Sequence, residues 1–456
     1  MASIDEIRAT RLEKLKALEK RGINPYPTTA HYDKTLFGVV KDFKEGDSLS
    51  LVGRIMSVRG QGKIVFFDFD DGTGKFQALL KKGEPTKTED FELFTDFFDI
   101  GDFIEVKGTL FLTKQNEKTI LVESLRMLSK SLRPLPEKWH GLSDVEERFR
   151  KRYLDLVSNP ETKRRFVSRT MIVSEIRKIL DEAGYLEVET PVLQSIYGGA
   201  SAEPFTTHHN TLDKDFFLRI SDELYLKRLM AGGFQKVYEI ARDFRNEGID
   251  TTHNPEFTML EFYEAYSDAT KQRAFVEQMV KRLAKLVPDC QINFAKPFEV
   301  KKYADLITEK TGIKDPMSHS PKELDEMFKK IRPEIIEPTF VVDYPVDMLP
   351  LTKRKEGEKN IVDAFQLYAG GIELAKAFSE LNDPIDQRAR FEKQEKNKKE
   401  GDKEAQVMDE DFIEAMEYGI PPAGGVGIGI DRLVMLLTNV KNIKEVILFP
   451  TLKPRD

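Results

Sequence analysis

Hydrophobic and polar positions follow two different rhythms along this chain, and the change between them marks its parts. Ile4, Ile7, Leu12, Leu15 and Leu18 recur at near-helical spacing, with Arg8, Arg11, Lys14, Lys16, Lys20 and Arg21 among them. This predicts an amphipathic helix over 4–21, ended by Pro25 and Pro27. Its basic side suits either a solvated surface or a contact with a polyanion. From about 48 to 128 the period falls to two. Leu49–Ser57, Lys63–Asp70, Lys75–Leu80, Phe103–Leu112 and Thr119–Met127 read as five strands, with the turn Asp71-Gly72-Thr73-Gly74 between the second and third. An acidic helix over Thr88–Phe98 separates the third strand from the fourth. Five strands with a helix in that place is the order of an OB-fold, a small barrel used on single-stranded nucleic acid. Phe66, Phe67, Phe69, Phe76 and Gln77 fit a base-stacking face, although alternation must send about half of these phenylalanines into the core.

Arg133-Pro134-Leu135-Pro136 through Gly141 reads as a stiff connection. The expected division is therefore a helical lead-in over 1–47, the OB-fold over 48–132, a connection over 133–146 and a larger domain of mixed helices and strands over 147–456. The fold class is α+β. Glu392–Glu404, almost all charged or amide, reads as a solvated excursion. The 40% apolar fraction supplies sizeable cores, and a single cysteine, Cys290, excludes a disulfide framework or a Cys-rich zinc site. The opening residues lack the apolar core of a signal peptide, and no run approaches the ~18 apolar residues of a membrane helix, so a cytoplasmic location and no membrane partner are expected. The net charge of −7 neither supports nor excludes a nucleic-acid partner, because local basic surface decides that.

Chemistry concentrates in three segments of the larger domain. An amphipathic helix over Met171–Ala183 stops at Gly184 and runs into the extended stretch Tyr185–Leu193, which contains Pro191. Lys236–Arg245 and Glu256–Ala265 read as two strands joined by the polar loop Asn246–Asn254, a hairpin with Arg245 and His253 at its mouth. On the return strand Phe257, Met259, Glu261 and Tyr263 share one face, and a carboxylate among such neighbours needs a partner. Finally, Gly424-Gly425-Val426-Gly427-Ile428-Gly429-Ile430-Asp431-Arg432 precedes an apolar helix over Leu433–Leu437. A glycine-rich strand admits a nucleotide close to the backbone, and Arg432 in the first helical turn reaches a phosphate.

In this order and spacing the three segments resemble motifs 1, 2 and 3 of the class II aminoacyl-tRNA synthetases. Phe244-Arg245-Asn246-Glu247-Gly248 with His253-Asn254-Pro255-Glu256-Phe257-Thr258 looks like motif 2 of the subgroup carrying an N-terminal OB-fold, and Gly427–Arg432 looks like its motif 3. The likeness continues through Arg133–Tyr153, Gly198–Asn210, Glu223–Leu229 and Phe378–Asp383, so it covers nearly the whole chain, and it is to the lysyl members. The resemblance implies an antiparallel active-site sheet flanked by helices, and a homodimer whose contact includes Pro191. It implies ATP, L-lysine and tRNA(Lys) as substrates, with magnesium as cofactor. Arg245 would hold the α-phosphate and the amino-acid carboxylate, Arg432 the γ-phosphate, and Phe257 the adenine, with Glu247 and His253 touching the nucleotide. The lysine pocket would comprise Gly199, Glu223, Glu261, Tyr263, Lys376, Phe378 and Glu380. Carboxylates there suit an ε-ammonium and repel an aspartate. The anticodon would meet Phe66 and Gln77, helped by Arg59.

Two positions depart from the family pattern. Gln366 stands where a magnesium-binding glutamate is usual, leaving Glu373 as the other metal candidate, and Lys376 replaces a pocket asparagine. In a regular strand Lys376, Phe378 and Glu380 share a face, so Lys376 points to the ligand and either takes over part of the work of a magnesium ion or pairs with a nearby glutamate. Two rival readings are a ligase that lysylates a translation factor, whose kind typically lacks the N-terminal barrel, and a catalytically silent RNA-binding paralogue, which would be expected to lose Arg245 or Arg432.

Overall fold

The computed structural model describes residues 3–136, 142, 144–400 and 406–455, which fall in two compact units, 1–141 and 142–456. Residues 137–141 and 143 of the expected connection, and 401–404 of the charged stretch, lie outside the described residues.

In the first unit the strands Ser48–Gln61, Ile64–Asp70, Lys75–Lys81, Lys118–Ser129 and Phe103–Leu112, in that order around the ring, close a barrel. The helix Thr88–Phe97 is inserted before the fourth strand in sequence. Alternation sorts the phenylalanines as expected: Phe67, Phe69 and Phe76 are buried with Leu51, Val106 and Ile120, whereas Phe66 faces outward, half-buried. The helix Ile4–Lys20, opened by a Ser3–Glu6 capping box, commits Arg11 and Lys14 to the fold and leaves Arg8, Lys16 and Lys20 exposed. Leu18 is fully buried, and Arg11 donates to the carbonyls of Ile100, Ser131 and Arg133. Lys14 pairs with Asp99 at 2.8 Å, beside the buried Lys130–Asp102 pair at 2.7 Å.

The second unit is built on an eight-stranded sheet. Its spatial order is Glu299–Lys302, Thr339–Val342, Ala364–Ala369, Ile372–Ser379, Ala423–Gly429, Glu256–Ala265, Lys236–Phe244, Leu186–Glu187. Only the two outermost pairs are parallel. Period-two alternation gives the sheet two buried faces. Leu260, Phe262, Ala375, Ala377, Val426 and Ile428 pack against the helices Pro160–Glu182, Ala269–Ala284 and Ile430–Leu437. Tyr263, Phe378, Tyr368 and Val341 point the other way, toward Glu223–Ala231, Tyr303–Thr311, Pro384–Lys399 and Glu410–Glu417. Glu261 and Lys376 take that second face by the same alternation.

Three expectations are corrected. The helix expected over Met171–Ala183 begins at Pro160, because Asn159 caps it and the proline fits its first turn; the charged run Lys163-Arg164-Arg165 hides the periodicity there. The stretch Tyr185–Leu193 is not one strand: Leu186–Glu187 joins the large sheet, and Leu193–Gln194 joins a separate three-stranded sheet. Glu392–Lys399 is not an excursion but the end of the helix Pro384–Lys399, which Phe391 anchors in the core.

Replacing Arg11 with alanine leaves three partly buried carbonyls without their cationic donor. Amide hydrogen exchange should then show barrel amides opening more easily by about 2 kcal/mol, with amides of the eight-stranded sheet unchanged.

Candidate active site

The second face of the sheet carries a cavity of about 300 Å³, walled by the hairpin strands, the glycine strand and the strand Ile372–Ser379. Its lining brings together Gly199, Glu223, Arg245, Glu247, His253, Phe257, Glu261, Tyr263, Glu373, Lys376, Phe378 and Arg432. Glu380 and Gln366 do not line it. The antiparallel register accounts for this convergence. Glu261 lies opposite Gly427, and Lys376 lies opposite Gly427 on the other side, so one glycine separates an acid from a base.

At one end the cavity is basic. Arg245 lies 5.0 Å from the centre of the Phe257 ring and holds the Ile220 carbonyl at 3.4 Å. Arg432 lies in the first turn of the helix Ile430–Leu437, with its Nη2 3.1 Å from His253 Nε2. His253 Nδ1 in turn is 2.8 Å from Asp250. A proton on Nδ1 satisfies both contacts, with Nε2 accepting from the guanidinium. Burial works against the Asp250 carboxylate, but the Thr252 backbone N–H and the His253 ring outweigh it and pull its pKa down to about 2. Asp431 anchors the end of the glycine strand by accepting from Thr258 N–H at 2.8 Å and from Arg169 at 2.6 Å.

The other end is acidic, and here sequence reasoning missed a residue. Lys227, almost fully buried, places its ammonium 2.6 Å from Glu223 and in closer contact still with Glu380. Burial alone would lower its pKa, but Glu223 and Glu380 raise it, so the ammonium stays charged. The available signal was spacing, since Glu223 and Lys227 stand four apart on the helix Glu223–Ala231. Glu261 accepts from Ser221 at 3.0 Å and Tyr263 at 2.9 Å, without a cationic partner in contact among the described residues. Burial, and then the carboxylates of Glu223 and Asp243, push its pKa up to about 8. Gly425 makes the acidic end possible. A Cβ there would fall 2.1 Å from Glu380 Oε1 and 2.4 Å from Tyr263 Cε1, so any side chain would displace both.

Gln366 does not stand as a neutral stand-in at a metal position. Its Oε1 accepts from Tyr344 at 2.9 Å and from the Tyr368 hydroxyl, so its acceptor is saturated inside the fold. Glu373 remains at the cavity, taking a 3.3 Å hydrogen bond from Tyr368. A magnesium ion fits Glu373 and does not fit Gln366. Lys376 sits across the ladder from Gln366. Its ammonium makes no ion pair or hydrogen bond among the described residues, so the glutamate-pairing reading lacks a partner. Burial pushes its pKa down, opposed by Glu373.

In the barrel, Arg59 lies opposite Phe66 and Asp68 opposite Gln77, which puts all four on the outer face. Arg59 is exposed, 3.5 Å from Asp68. Gln77 is nearly buried, its amide donating to Glu117 at 3.0 Å and accepting from Thr119 at 2.8 Å.

Comparison with known proteins follows this division. Residues 144–453 match the family described as tRNA synthetases class II (D, K and N), and residues 49–128 match the OB-fold nucleic acid binding domain. The lysine–tRNA ligase of Pelotomaculum thermopropionicum is 48% identical over 99% of this chain and 96% of its own length. That of Carboxydothermus hydrogenoformans is 46% identical over 99% of each. Lysine–tRNA ligase 2 of Methanosarcina mazei is 44% identical over 98% of this chain and 94% of its own.

The raised carboxyl groups set a pH dependence. Glu261 binds a proton up to about pH 8 when folded but only to about 4.5 as a free carboxyl, so the folded state holds more protons between those values. Stability of the ligand-free protein therefore falls as pH rises from 5 to 8, by up to about 1.4 kcal/mol per unit for this group. Melting curves in chelator should show that decline, and Glu261→Gln should flatten it.

Proposed function

The chain belongs to the class II tRNA synthetases of the D, K and N group, and from that premise we propose that it is a lysine–tRNA ligase. It joins L-lysine to ATP as lysyl-adenylate with release of pyrophosphate, then passes the lysyl group to the 3′ end of tRNA(Lys). The observation that carries the choice of amino acid is the acidic end of the cavity. Glu223, Glu261 and Glu380 converge there, and an ε-ammonium entering between them offers the charge and donors that Glu261 lacks. A substrate carboxylate there would meet like charge.

The chemistry asks for placement rather than for a protein nucleophile. The amino-acid carboxylate attacks the α-phosphorus, a new C–O–P bond forms, and pyrophosphate leaves. Arg245, held against Phe257, is placed to bind both the carboxylate and the α-phosphate as their charges redistribute. Arg432, steadied by His253, meets the departing phosphates with a planar fork of donors. Phe257 offers its ring to the adenine, with Glu247 beside the nucleotide. Gly199, whose φ is +84°, lets the chain pass Ser221 and Glu223 closely beside the amino acid, and Phe378 closes the aliphatic wall. A terminal hydroxyl of the tRNA then attacks the acyl carbon and AMP departs.

Magnesium arriving with ATP supplies charge neutralisation on the phosphates, and Glu373 is the carboxylate that would hold it. Lys376, whose ammonium makes no ion pair or hydrogen bond among the described residues, takes over part of that work on an anionic ligand. The barrel presents Phe66, Arg59 and Gln77 to the anticodon, with Gln77 exchanging its internal partners for a base edge. A second copy of the chain covers Val167, Met171, Leu186, Val192 and Leu193, apolar side chains left exposed around Pro191. No described helix is long and apolar enough to cross a membrane, and the cytoplasm is the compartment in which this reaction belongs.

ATP–pyrophosphate exchange run across all twenty amino acids should be selective for lysine, and preference for aspartate or asparagine would overturn the assignment. Glu261→Gln should lose lysine discrimination on the order of 2–5 kcal/mol, because the ammonium is left underpaired. Phe66→Ala should weaken tRNA charging by roughly 1–3 kcal/mol of lost stacking while leaving exchange intact; an equal fall in both would mean the ring is structural. Lys376→Asn should raise the magnesium concentration needed for half-maximal exchange. An unchanged requirement would remove Lys376 from this role.

A further inference from the structure

Around Glu261 lies a second convergence of carboxylates, two of which, Asp222 and Asp243, the synthetase chemistry does not use. Asp222 stands immediately before the helix Glu223–Ala231 without a side-chain cap hydrogen bond, Asp243 stands near the end of the strand Lys236–Phe244, and Glu261 is central in the strand Glu256–Ala265. One oxygen from each lies within 4.8 Å of the other two. Asp222 and Asp243 are fully buried and do not line the cavity, whereas Glu261 and Ser221 do, so the cluster adjoins the cavity through Glu261.

The cluster is short of donors. Asp222 meets only the Glu261 carboxyl, itself an acid, and no oxygen of Asp222 or Asp243 has another hydrogen-bond partner among the described residues. The nearest cation in ion-pair range is Arg219, whose Nε stands 3.4 Å from Asp243 Oδ1. That guanidinium is already committed to Glu239 at 2.6 Å, to Thr190 and to the Arg242 carbonyl. Glu261 accepts from Ser221 and Tyr263, and as an ionised carboxylate it has no hydrogen to donate to the two aspartates.

Buried carboxylates with so few donors are costly, and beyond the one shared arginine only a proton or a further cation can serve them here. A proton bridges two oxygens. One shared between Asp222 and Glu261 would still leave the other Asp222 oxygen and both Asp243 oxygens unserved. A single ion with oxygen bonds of roughly 2.0–2.6 Å reaches all three groups at the spacing found. The donor set contains only carboxylate oxygens, which selects a hard divalent cation over zinc or copper.

We propose that Asp222, Asp243 and Glu261 form a binding site for one hard divalent cation, separate from the nucleotide and filled without it. The ion ties the start of the helix that carries Glu223 to both hairpin strands, and so fixes the acidic wall of the cavity. It needs one oxygen of Glu261 and leaves the other for a ligand in the cavity. This site stands on its own geometry and does not depend on which amino acid the cavity accepts.

The test uses Mn²⁺ as probe on the nucleotide-free full chain at pH 8, with free Mn²⁺ followed by electron paramagnetic resonance. The expected result is one bound Mn²⁺ per chain, retained in Glu373→Gln and weakened at least tenfold in Asp222→Asn. Mn²⁺ should also raise the melting temperature of the parent and of Glu373→Gln but not of Asp222→Asn. If Asp222→Asn does not fold, Asp243→Asn is read the same way. Absence of binding to the parent chain, or equal binding in the aspartate variants, overturns the site and leaves the carboxyl groups holding protons instead.

Discussion

A carboxylate taken out of water must be answered by something fixed, and the arrangement around Lys227 is where this chain meets that demand. One ammonium, nearly sealed from solvent, holds Glu223 from a helix and Glu380 from beyond the end of a strand. The two acids are thereby oriented, and the ammonium opposes the burial that pushes the Glu380 pKa up, while Glu261 is left with only hydroxyl donors and a strongly raised pKa. The acidic wall is thus partly neutralised from within, and the remaining charge is available to an incoming cation. Replacing Lys227 would strand two buried charges at once, which is costlier than the loss of a surface pair.

The same demand shapes the sheet. Side chains on a strand alternate, so a wall carrying Glu261, Tyr263, Lys376 and Phe378 needs room in front of it, and the neighbouring strand supplies that room by carrying glycine at 425 and 427. The glycines read at first as an opening for a nucleotide. In the structure their nearer effect is to admit the protein's own Glu380, Tyr263 and Met259 side chains.

Much of this was legible in the pattern of residues. The barrel strands, the hairpin and the shared face of Phe257, Met259, Glu261 and Tyr263 follow from period-two alternation, and the motif residues come together in one cavity. What escaped did so for physical reasons. Lys227 was readable only as an ordinary helical pair with Glu223, because its second partner lies 153 positions on at Glu380 and no local pattern encodes that contact. Asp222 and Asp243 fall in no motif and meet Glu261 only through tertiary packing. Gln366 was visible as a departure, but the two tyrosines that occupy its oxygen were not. The extended run after Gly184 reads as one strand, and only tertiary structure decides that Leu186 and Glu187 pair in the large sheet while Leu193 pairs in the small one.

The absent side chain at Gly425 has a consequence for how this cavity can change. A binding site is usually retuned by exchanging the residues that point into it, but here one wall is main chain. Its shape is set by hydrogen-bond register, which no single replacement alters by a graded amount. Diversification of the substrate range, in nature or by design, is therefore channelled into the few neighbouring positions that do carry side chains, and the acid–base pair facing each other across that ladder becomes the adjustable part of an otherwise rigid mould.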